Sequence, residues 1–222
     1  MRNLYDGVPM DEVYKASILA ARTLIEKDPD YTYATARLLF HTISREVLGR
    51  DVAQSDMQEA YADYFPGFIK KGVDSDLLDE KLLQFDLKRL GAALKASRDQ
   101  QFDYLGLQTL YDRYFLHVGK RRIELPQAFF MRVAMGLALN EIDREARAIE
   151  FYEVLSSFDF MSSTPTLFNS GTLRSQLSSC YLTTVPDDLD GIYESIKENA
   201  LLSKLDRKST RLNSSHGYIS YA

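Results

Sequence analysis

Apolar side chains recur every three or four positions over most of residues 11–158, a spacing that predicts amphipathic helices packed around a shared core. The first helix is predicted over residues 11–26, with Asp11 capping its first turn. A second is predicted between Asp30, which can act as its cap, and Gly49, where a left-handed C-terminal residue is expected. These two helices would form the front of a helical body.

Two features divide the next part of the chain. The helical pattern of residues 57–65 is followed by Pro66 and Gly67. Because proline lacks a backbone donor and crowds the preceding turn, we expect the helix to end there. The pattern resumes over residues 76–96, which predict one long helix.

The signal changes near the middle of the chain. Residues 114–118 and 122–125 are apolar runs on either side of Gly119 and Lys120, which predicts a small β-hairpin. Pro126 suits the first turn of a following helix over residues 127–139, which is apolar almost all round and therefore predicted to be buried. An amphipathic helix is predicted over residues 143–158.

Residues 161–180 differ from the rest because they are dense in hydroxyl groups and turn formers and end in one thiol. Cys180 is the single cysteine of the chain, so it cannot form an internal disulfide. Residues 181–185 have the β-branched and aromatic content of a strand, and Asp187 or Asp188 would cap a helix that follows. A polar segment with a thiol, hydroxyls and free backbone amides can surround one polar ligand.

Composition narrows the class of protein. The 222 residues are 45% hydrophobic and 27% charged, with a formal net charge of -5, which argues against a general nucleic-acid surface. No apolar run reaches the roughly 20 residues that a membrane helix needs, and the N-terminus lacks the apolar core of a secretory signal. A single cysteine fits a reducing compartment. We therefore predict a cytoplasmic protein without nucleic-acid or membrane partners.

The individual polar residues each have an ordinary structural explanation. A lone cysteine such as Cys180 is most often a small buried apolar residue. Thr166 and Ser179 fit turn or capping hydrogen bonds, and Asp187 fits a helix N-cap. His41 and His117 have no partners at ligand spacing, so we propose no metal site.

The order of these motifs resembles the large (alpha) subunit of class I ribonucleotide reductase. The resemblance covers about residues 3–204, which is the front part of the family's chain. It is carried by residues 4–7, 30–38, 163–166 (Ser-Thr-Pro-Thr), 169–171 (Asn-Ser-Gly), 176–180 (Gln-Leu-Ser-Ser-Cys) and 187–190 (Asp-Asp-Leu-Asp).

The resemblance implies a function for the polar segment. The family reduces ribonucleoside diphosphates to deoxyribonucleotides for DNA synthesis, using a thiyl radical above the sugar and a cysteine pair below it. Cys180 resembles the first member of that redox pair, whose thiol would protonate the departing 2′-hydroxyl and help to supply two electrons. Thr166, Ser179 and Cys180 itself match substrate-binding positions. Asp187 and Leu189 match the start of the binding site for the deoxynucleotide effector.

The resemblance also implies a fold and domain boundaries. The fold class expected is mainly α: the helical N-terminal domain of the large subunit, with a small hairpin and the first strand and helix of the truncated α/β catalytic barrel. Residues 1–24 would be the C-terminal end of an ATP cone, 25–160 the helical domain and 161–204 the start of the barrel. Residues 205–222 lose apolar periodicity and resemble a translated sequencing adapter, so we predict a non-native tail.

The family's remaining catalytic groups are expected beyond Lys204, so the chain alone is predicted to be inactive. We expect no cofactor on this chain, whereas the parent enzyme would use ATP or dNTP effectors and a radical from a metal-containing small (beta) subunit. It would also use a thioredoxin- or glutaredoxin-type reductant and form a homodimer of large subunits. Two alternatives are a fragment of a cobalamin-dependent ribonucleotide reductase and a non-catalytic helical interaction module.

Overall fold

A computed structural model describes residues 7–209 of the chain, with side chains as far as Lys204. Residues 1–6 and 210–222 lie outside the described part, so most of the predicted tail and the start of the 4–7 motif are not tested. The helices are α1 (Met10–Arg22), α2 (Tyr31–Leu48), α3 (Met57–Asp74), α4 (Leu87–Ala93), α5 (Tyr104–Thr109), α6 (Pro126–Ala138), α7 (Arg144–Ser156), α8 (Thr164–Asn169) and α9 (Leu189–Ser209).

The two short strands form one antiparallel hairpin. Strand β1 (His117–Val118) pairs with β2 (Arg121–Arg122), and His117 lies opposite Arg122. Gly119, in the connecting turn, has a φ of 62°, a backbone conformation that glycine adopts at no steric cost. The mainly helical fold class with a small hairpin is therefore confirmed.

Helix α6 is the centre of the core. Every residue from Pro126 to Met135 is buried, and Pro126 occupies the first turn as predicted. Helix α7 packs along α6, with Ala148 and Tyr152 fully buried. Full burial of one large apolar side chain contributes about 1.5–3 kcal/mol, so the buried apolar side chains of α6 stabilise the helical body substantially.

Pro66 does not end α3, and the prediction of an interruption there is wrong. The helix runs through Pro66 to Asp74. The side chains of Phe65, Phe68 and Ile69 on either side are completely buried. Their burial offsets the backbone hydrogen bond that proline cannot make.

The long helix predicted over residues 76–96 is also wrong. Asp76 adopts a φ of 55°, the segment Glu80–Gln84 is a short 3₁₀ helix, and only Leu87–Ala93 forms the α-helix α4. The carboxylate of Asp86 accepts the backbone N–H of Arg89, and Asp79 caps the 3₁₀ helix in the same way. These two aspartates start new turns where a continuous helix would need none.

The capping predictions near the N-terminus are partly wrong. Pro9 precedes α1, so Asp11 lies inside the first turn and is not the cap. Asp30 does precede α2, but its side chain makes no capping hydrogen bond. Gly49 ends α2 with a φ of 72°, in the left-handed conformation that was predicted.

The strand predicted over residues 181–185 is not formed, since these residues have no regular structure. A strand is stable only when a neighbouring strand satisfies its backbone groups. Within residues 7–209 the sheet consists of β1 and β2 alone. Residues 181–185 therefore have no neighbouring strand to pair with in the described part of the chain, despite their β-propensity.

A buried polar network joins α3, α6, α7 and the short 3₁₀ helix Ala96–Gln101. The carboxylate of Asp99, 4% exposed, accepts hydrogen bonds from the Tyr61 hydroxyl (2.8 Å) and from Gln127 Nε2 (2.8 Å). The hydroxyl of Tyr152 donates to Gln127 Oε1 at 2.8 Å. Burial raises the pKa of Asp99 to about 7, although the two hydrogen bonds from Gln127 and Tyr61 act in the opposite direction.

We predict that Asp99 makes the stability of the chain fall as pH rises towards 7. Its pKa is higher in the folded state than in the unfolded state, so the folded state binds more protons between the two values and loses that advantage as pH increases. Between pH 5 and pH 7 the expected loss is about 1 kcal/mol per pH unit. Urea unfolding of the wild type and of Asp99→Asn across this range measures it; equal slopes for the two proteins would contradict it.

Candidate functional site

The polar segment is attached to the helical body by a buried arginine. Arg132, in the middle of α6, and Glu124, just before that helix, are both 0% exposed. Arg132 Nε donates to Glu124 Oε1 at 2.9 Å, and Arg132 Nη2 faces Glu124 Oε2 at 3.4 Å. One edge of the guanidinium is therefore held in a two-pronged contact with the carboxylate.

The other edge of the same guanidinium binds the end of α8. Arg132 Nη1 donates to the carbonyl oxygens of Leu167 (3.1 Å), Phe168 (3.3 Å) and Ser170 (2.8 Å). The last carbonyls of a helix have no partner within the helix, so an external donor is needed when they are buried. Arg132 supplies that donor, and Ser170 Oγ adds a bond of 2.7 Å to the carbonyl of Val133.

Two glycines allow this close approach. A Cβ atom on Gly136 would lie 2.1 Å from the backbone nitrogen of Gly171. Gly171 itself has a φ of 76°, and a Cβ there would lie 2.9 Å from the carbonyl oxygen of Arg132. The backbones of α6 and of the turn after α8 are therefore in direct contact, and larger residues at either position would separate them.

The turn after α8 also contacts the loop after α3. The backbone N–H of Asp79 donates to the carbonyl of Gly171 at 3.0 Å, and Leu78 and Thr172 form an isolated antiparallel bridge. The ring of Tyr114 stacks on that of Phe168, with centroids 4.4 Å apart. The short helix α8 and the turn after it therefore contact α6, the loop after α3 and Tyr114.

Thr166 connects α8 to the segment that carries the thiol. Its hydroxyl donates to the carbonyl of Leu177 at 3.1 Å, and Asn169 Nδ2 donates to the carbonyl of Gln176 at 2.7 Å. Thr166 lies inside α8 and this bond spans eleven residues, so its hydroxyl makes a structural hydrogen bond that is neither the turn nor the capping bond predicted from the sequence. The bonds fix the path of the chain just before Ser179 and Cys180.

Cys180 and Ser179 are both exposed, and Cys180 carries a free thiol. The structural alternative of a buried apolar cysteine is wrong for this chain. Tyr181, the next residue, has a buried hydroxyl that finds no hydrogen-bond partner among the residues described. Buried polar groups without a partner are rare in folded proteins.

Asp187 and Leu189 lie at the start of α9 and are exposed, Leu189 at 69%. Asp188 is the residue that caps this helix, because its Oδ1 accepts the backbone N–H of Gly191 at 2.8 Å. The carboxylate of Asp187 is therefore left outside the cap. No hydrogen bond or ion pair of the described chain joins Asp187 or Leu189 to Thr166, Ser179 or Cys180.

Arg132 and Glu124, together called the arginine anchor, were missed by the sequence analysis, although Arg132 has a sequence signal. Arg132 is the only charged residue in a helix that is otherwise apolar almost all round, so its side chain is expected to be buried with the rest of the helix. An arginine is rarely fully buried unless it is paired, so a partner for Arg132 is implied. Glu124 lies eight residues earlier, before Pro126, and no helical spacing links the two. Only the folded backbone brings them together.

Other candidate sites lie elsewhere or are absent. A cavity of about 270 Å³ is lined by residues of α2 and of the turn that contains Asp99, and none of the predicted site residues lines it. In residues 7–209 no group of three or more histidine, cysteine, aspartate or glutamate side chains is arranged to hold a metal ion. No helix in that range is both long and apolar enough to cross a membrane.

Comparison with known proteins gives consistent matches. Residues 100–175, which contain the arginine anchor and α8, match the family model of the ribonucleotide reductase all-alpha domain. The ribonucleoside-diphosphate reductase subunit alpha of Chlamydia muridarum is 51% identical over 202 residues, covering 91% of this chain and 19% of that protein.

More distant relatives match over the same length. The subunit alpha of Helicobacter pylori is 42% identical over 201 residues, covering 90% of this chain and 24% of that protein. The ribonucleoside-diphosphate reductase large subunit of Danio rerio is 35% identical over 207 residues, covering 92% and 25%. The chain therefore spans between about a fifth and a quarter of the length of these relatives.

Proposed function

The chain belongs to the ribonucleotide reductase large-subunit family, and we propose that it supplies the helical domain and part of the substrate site of an enzyme that reduces ribonucleoside diphosphates. The identity of 51% across 91% of the chain is the observation that carries this proposal. The match to the all-alpha domain covers the anchor that holds the polar segment in place. No finding favours the cobalamin-dependent class or a non-catalytic interaction module.

Cys180 is proposed as one member of the redox pair. Replacement of the 2′-hydroxyl by hydrogen consumes two electrons and releases water, and two thiols provide the electrons by forming a disulfide. The exposure of the Cys180 thiol supports this role, since an exposed thiol can meet both a ligand and a second thiol. Cys180 is the only cysteine of this chain, so its partner must come from another part of the whole protein.

Thr166 and Ser179 are proposed as substrate contacts with different capacities. The hydroxyl proton of Thr166 is already used in the bond to Leu177, and Ser163 Oγ lies 3.3 Å from Oγ1, where it can donate. Oγ1 of Thr166 can therefore only accept, through its remaining lone pair. It therefore suits a ribose hydroxyl better than a phosphate oxygen. Ser179 is exposed and can donate to either.

The effector, the partners and the domain boundaries remain proposals for the whole protein. We propose that Asp187, whose carboxylate is not used for capping, accepts a hydrogen bond from the deoxyribose of a nucleotide effector near Leu189. The whole enzyme would work with a small subunit, a dithiol reductant of the thioredoxin or glutaredoxin type, and a second large subunit. The boundaries at residues 24, 160 and 204 and the cytoplasmic location stay predictions.

An activity assay on the complete reading frame tests the proposal. The full-length protein, copied from the source DNA and combined with its small subunit, is expected to form deoxynucleotides from ribonucleoside diphosphates. Cys180→Ser should lower steady-state turnover by about a thousandfold or more, because the disulfide can no longer form. Ser178→Ala is the matched control on the neighbouring hydroxyl and should keep its activity. Absence of activity in the wild type would contradict the proposed function.

A further inference from the structure

The contacts of Arg132 go beyond what a helical core needs. A methionine or leucine would fill the same space in α6 without placing a charge in the interior, where charges are costly. The guanidinium is 0% exposed, and one of its nitrogens contacts three carbonyls around the end of α8. A side chain with this donor pattern is suited to fixing a backbone turn.

We propose that Arg132, oriented by Glu124, is a positioning residue that sets the conformation of the substrate-contacting segment, from α8 to Cys180. This proposal rests on the function proposed above. Arg132 touches neither the thiol nor the two proposed substrate hydroxyls. It acts through the backbone of the turn that it binds.

The connection from Arg132 to the thiol consists of two hydrogen-bonded steps. In the first, Arg132 Nη1 binds the carbonyls of Leu167 and Ser170 at 3.1 and 2.8 Å and so fixes the residues on either side of Asn169. In the second, the side chains of Thr166 and Asn169 bind the carbonyls of Leu177 and Gln176. Ser179 and Cys180 follow shortly after Leu177, so the hydrogen bonds at Gln176 and Leu177 restrict the position of their backbone.

Glu124 completes the device from the other side. Its Oε2 accepts the backbone N–H of Leu116 at 2.7 Å, just before the hairpin, while Oε1 binds Arg132 Nε. The hydrogen bond from the backbone of Leu116 therefore fixes the carboxylate of Glu124, and the fixed carboxylate orients the guanidinium of Arg132. Arginine presents its donors in a fixed planar fork, so orientation of one edge also orients the edge that faces α8.

A double variant separates positioning from folding. Glu124→Gln with Arg132→Met removes both buried charges together, which costs far less stability than removing one of them. It also removes the donor to the three carbonyls. In the 222-residue chain, hydrogen exchange at the amides of Leu167 and Ser170 is expected to rise about tenfold or more, with little change in α7.

The matched control is Glu153→Gln with Arg98→Met. This variant neutralises a second arginine–glutamate pair of the helical domain. The pair joins α7 to the turn that contains Asp99, and its ion pair does not involve α8. Exchange at Leu167 and Ser170 should stay at the wild-type rate in this control. If the Arg132 double variant does not fold, Asn169→Leu leaves the Arg132–Glu124 pair intact and removes the donor to the carbonyl of Gln176 without adding a charge. Faster exchange over residues 176–180 is then expected.

Kinetics of the full-length reductase provide the functional readout. The Glu124→Gln/Arg132→Met enzyme is expected to show a KM for the ribonucleoside diphosphate raised about tenfold, with effector affinity unchanged. Wild-type KM and kcat in that variant, or wild-type exchange at Leu167 and Ser170 in the folded double variant, would overturn the positioning role. A wild-type enzyme without reductase activity would instead overturn the proposed function.

Discussion

Gly136→Ala is expected to lower the free energy of unfolding by about 3 kcal/mol, in the upper range for overpacking of a core. The added Cβ would lie 2.1 Å from the nitrogen of Gly171 and 2.3 Å from Ser170 Oγ. The nearest neighbour is backbone, and the turn to which it belongs is held by Arg132. Relief of the clash therefore requires α6 and the turn to separate, with loss of those hydrogen bonds. Urea unfolding followed by circular dichroism measures the change.

Gly67→Ala is the matched control for this substitution. Gly67 is an exposed position inside α3, and a Cβ there would meet no atom within 4 Å. Alanine should stabilise the helix at this position by about 0.5–1 kcal/mol, since glycine is the poorer helix former. The same chemical change thus has opposite signs at the two sites. Equal stability of Gly136→Ala and wild type would show that α6 and the turn are not in contact.

The second large effect is expected from breaking the buried ion pair. Arg132→Met alone leaves Glu124 charged and unpaired at a fully buried position, which costs about 3–5 kcal/mol. Glu124→Gln alone leaves the guanidinium unpaired and should cost a similar amount. The double variant should be more stable than the sum of the two losses predicts, because no charge then remains buried without a partner.

A double-mutant cycle by urea unfolding measures this coupling. The interaction free energy is expected to be at least about 2 kcal/mol, near the upper end for residues in direct contact. The corresponding cycle on Arg98 and Glu153, which are 16% and 33% exposed, should give a smaller value because water screens that pair. Additive losses at Arg132 and Glu124 would rule out the buried pair.

The predictable parts of the fold depended on signals that lie close together in the chain. Gly49 at the end of α2, Pro126 at the start of α6 and the Gly119 turn each determine a local backbone conformation, and the structure has all three. The apolar periodicity of α6 and α7 also identified the buried centre. In these stretches local preference and tertiary packing favour the same structure.

Other parts depended on contacts between distant residues. Pro66 is tolerated because Phe65 and Phe68 are buried by other elements, and no local pattern shows that burial. The strand predicted over residues 181–185 needs a partner strand, and β-propensity alone does not supply one. The pairing of Arg132 with Glu124 arises from the chain path through Pro126. These features require the folded structure.

The candidate site also contains residues that the sequence identified and residues that only the structure reveals. Thr166, Ser179 and Cys180 were identified from a motif resemblance, and the family membership is confirmed by the relatives. The residues that hold this motif in place, Arg132 and Asn169, carry no motif of their own. Their roles follow from hydrogen bonds to main-chain carbonyls. Every residue has such a carbonyl, so the sequence does not show which carbonyls these side chains bind.

Disulfide mapping tests most directly whether Cys180 has the proposed redox role, in which it is oxidised when a ribonucleotide is reduced. The full-length enzyme with its small subunit is first reduced, freed of reductant and then given ribonucleoside diphosphate. Alkylation and peptide mass spectrometry follow. We predict that Cys180 becomes protected in a disulfide in proportion to the deoxynucleotide formed. Deoxynucleotide formation with Cys180 still fully open to alkylation would contradict the proposed redox role of Cys180.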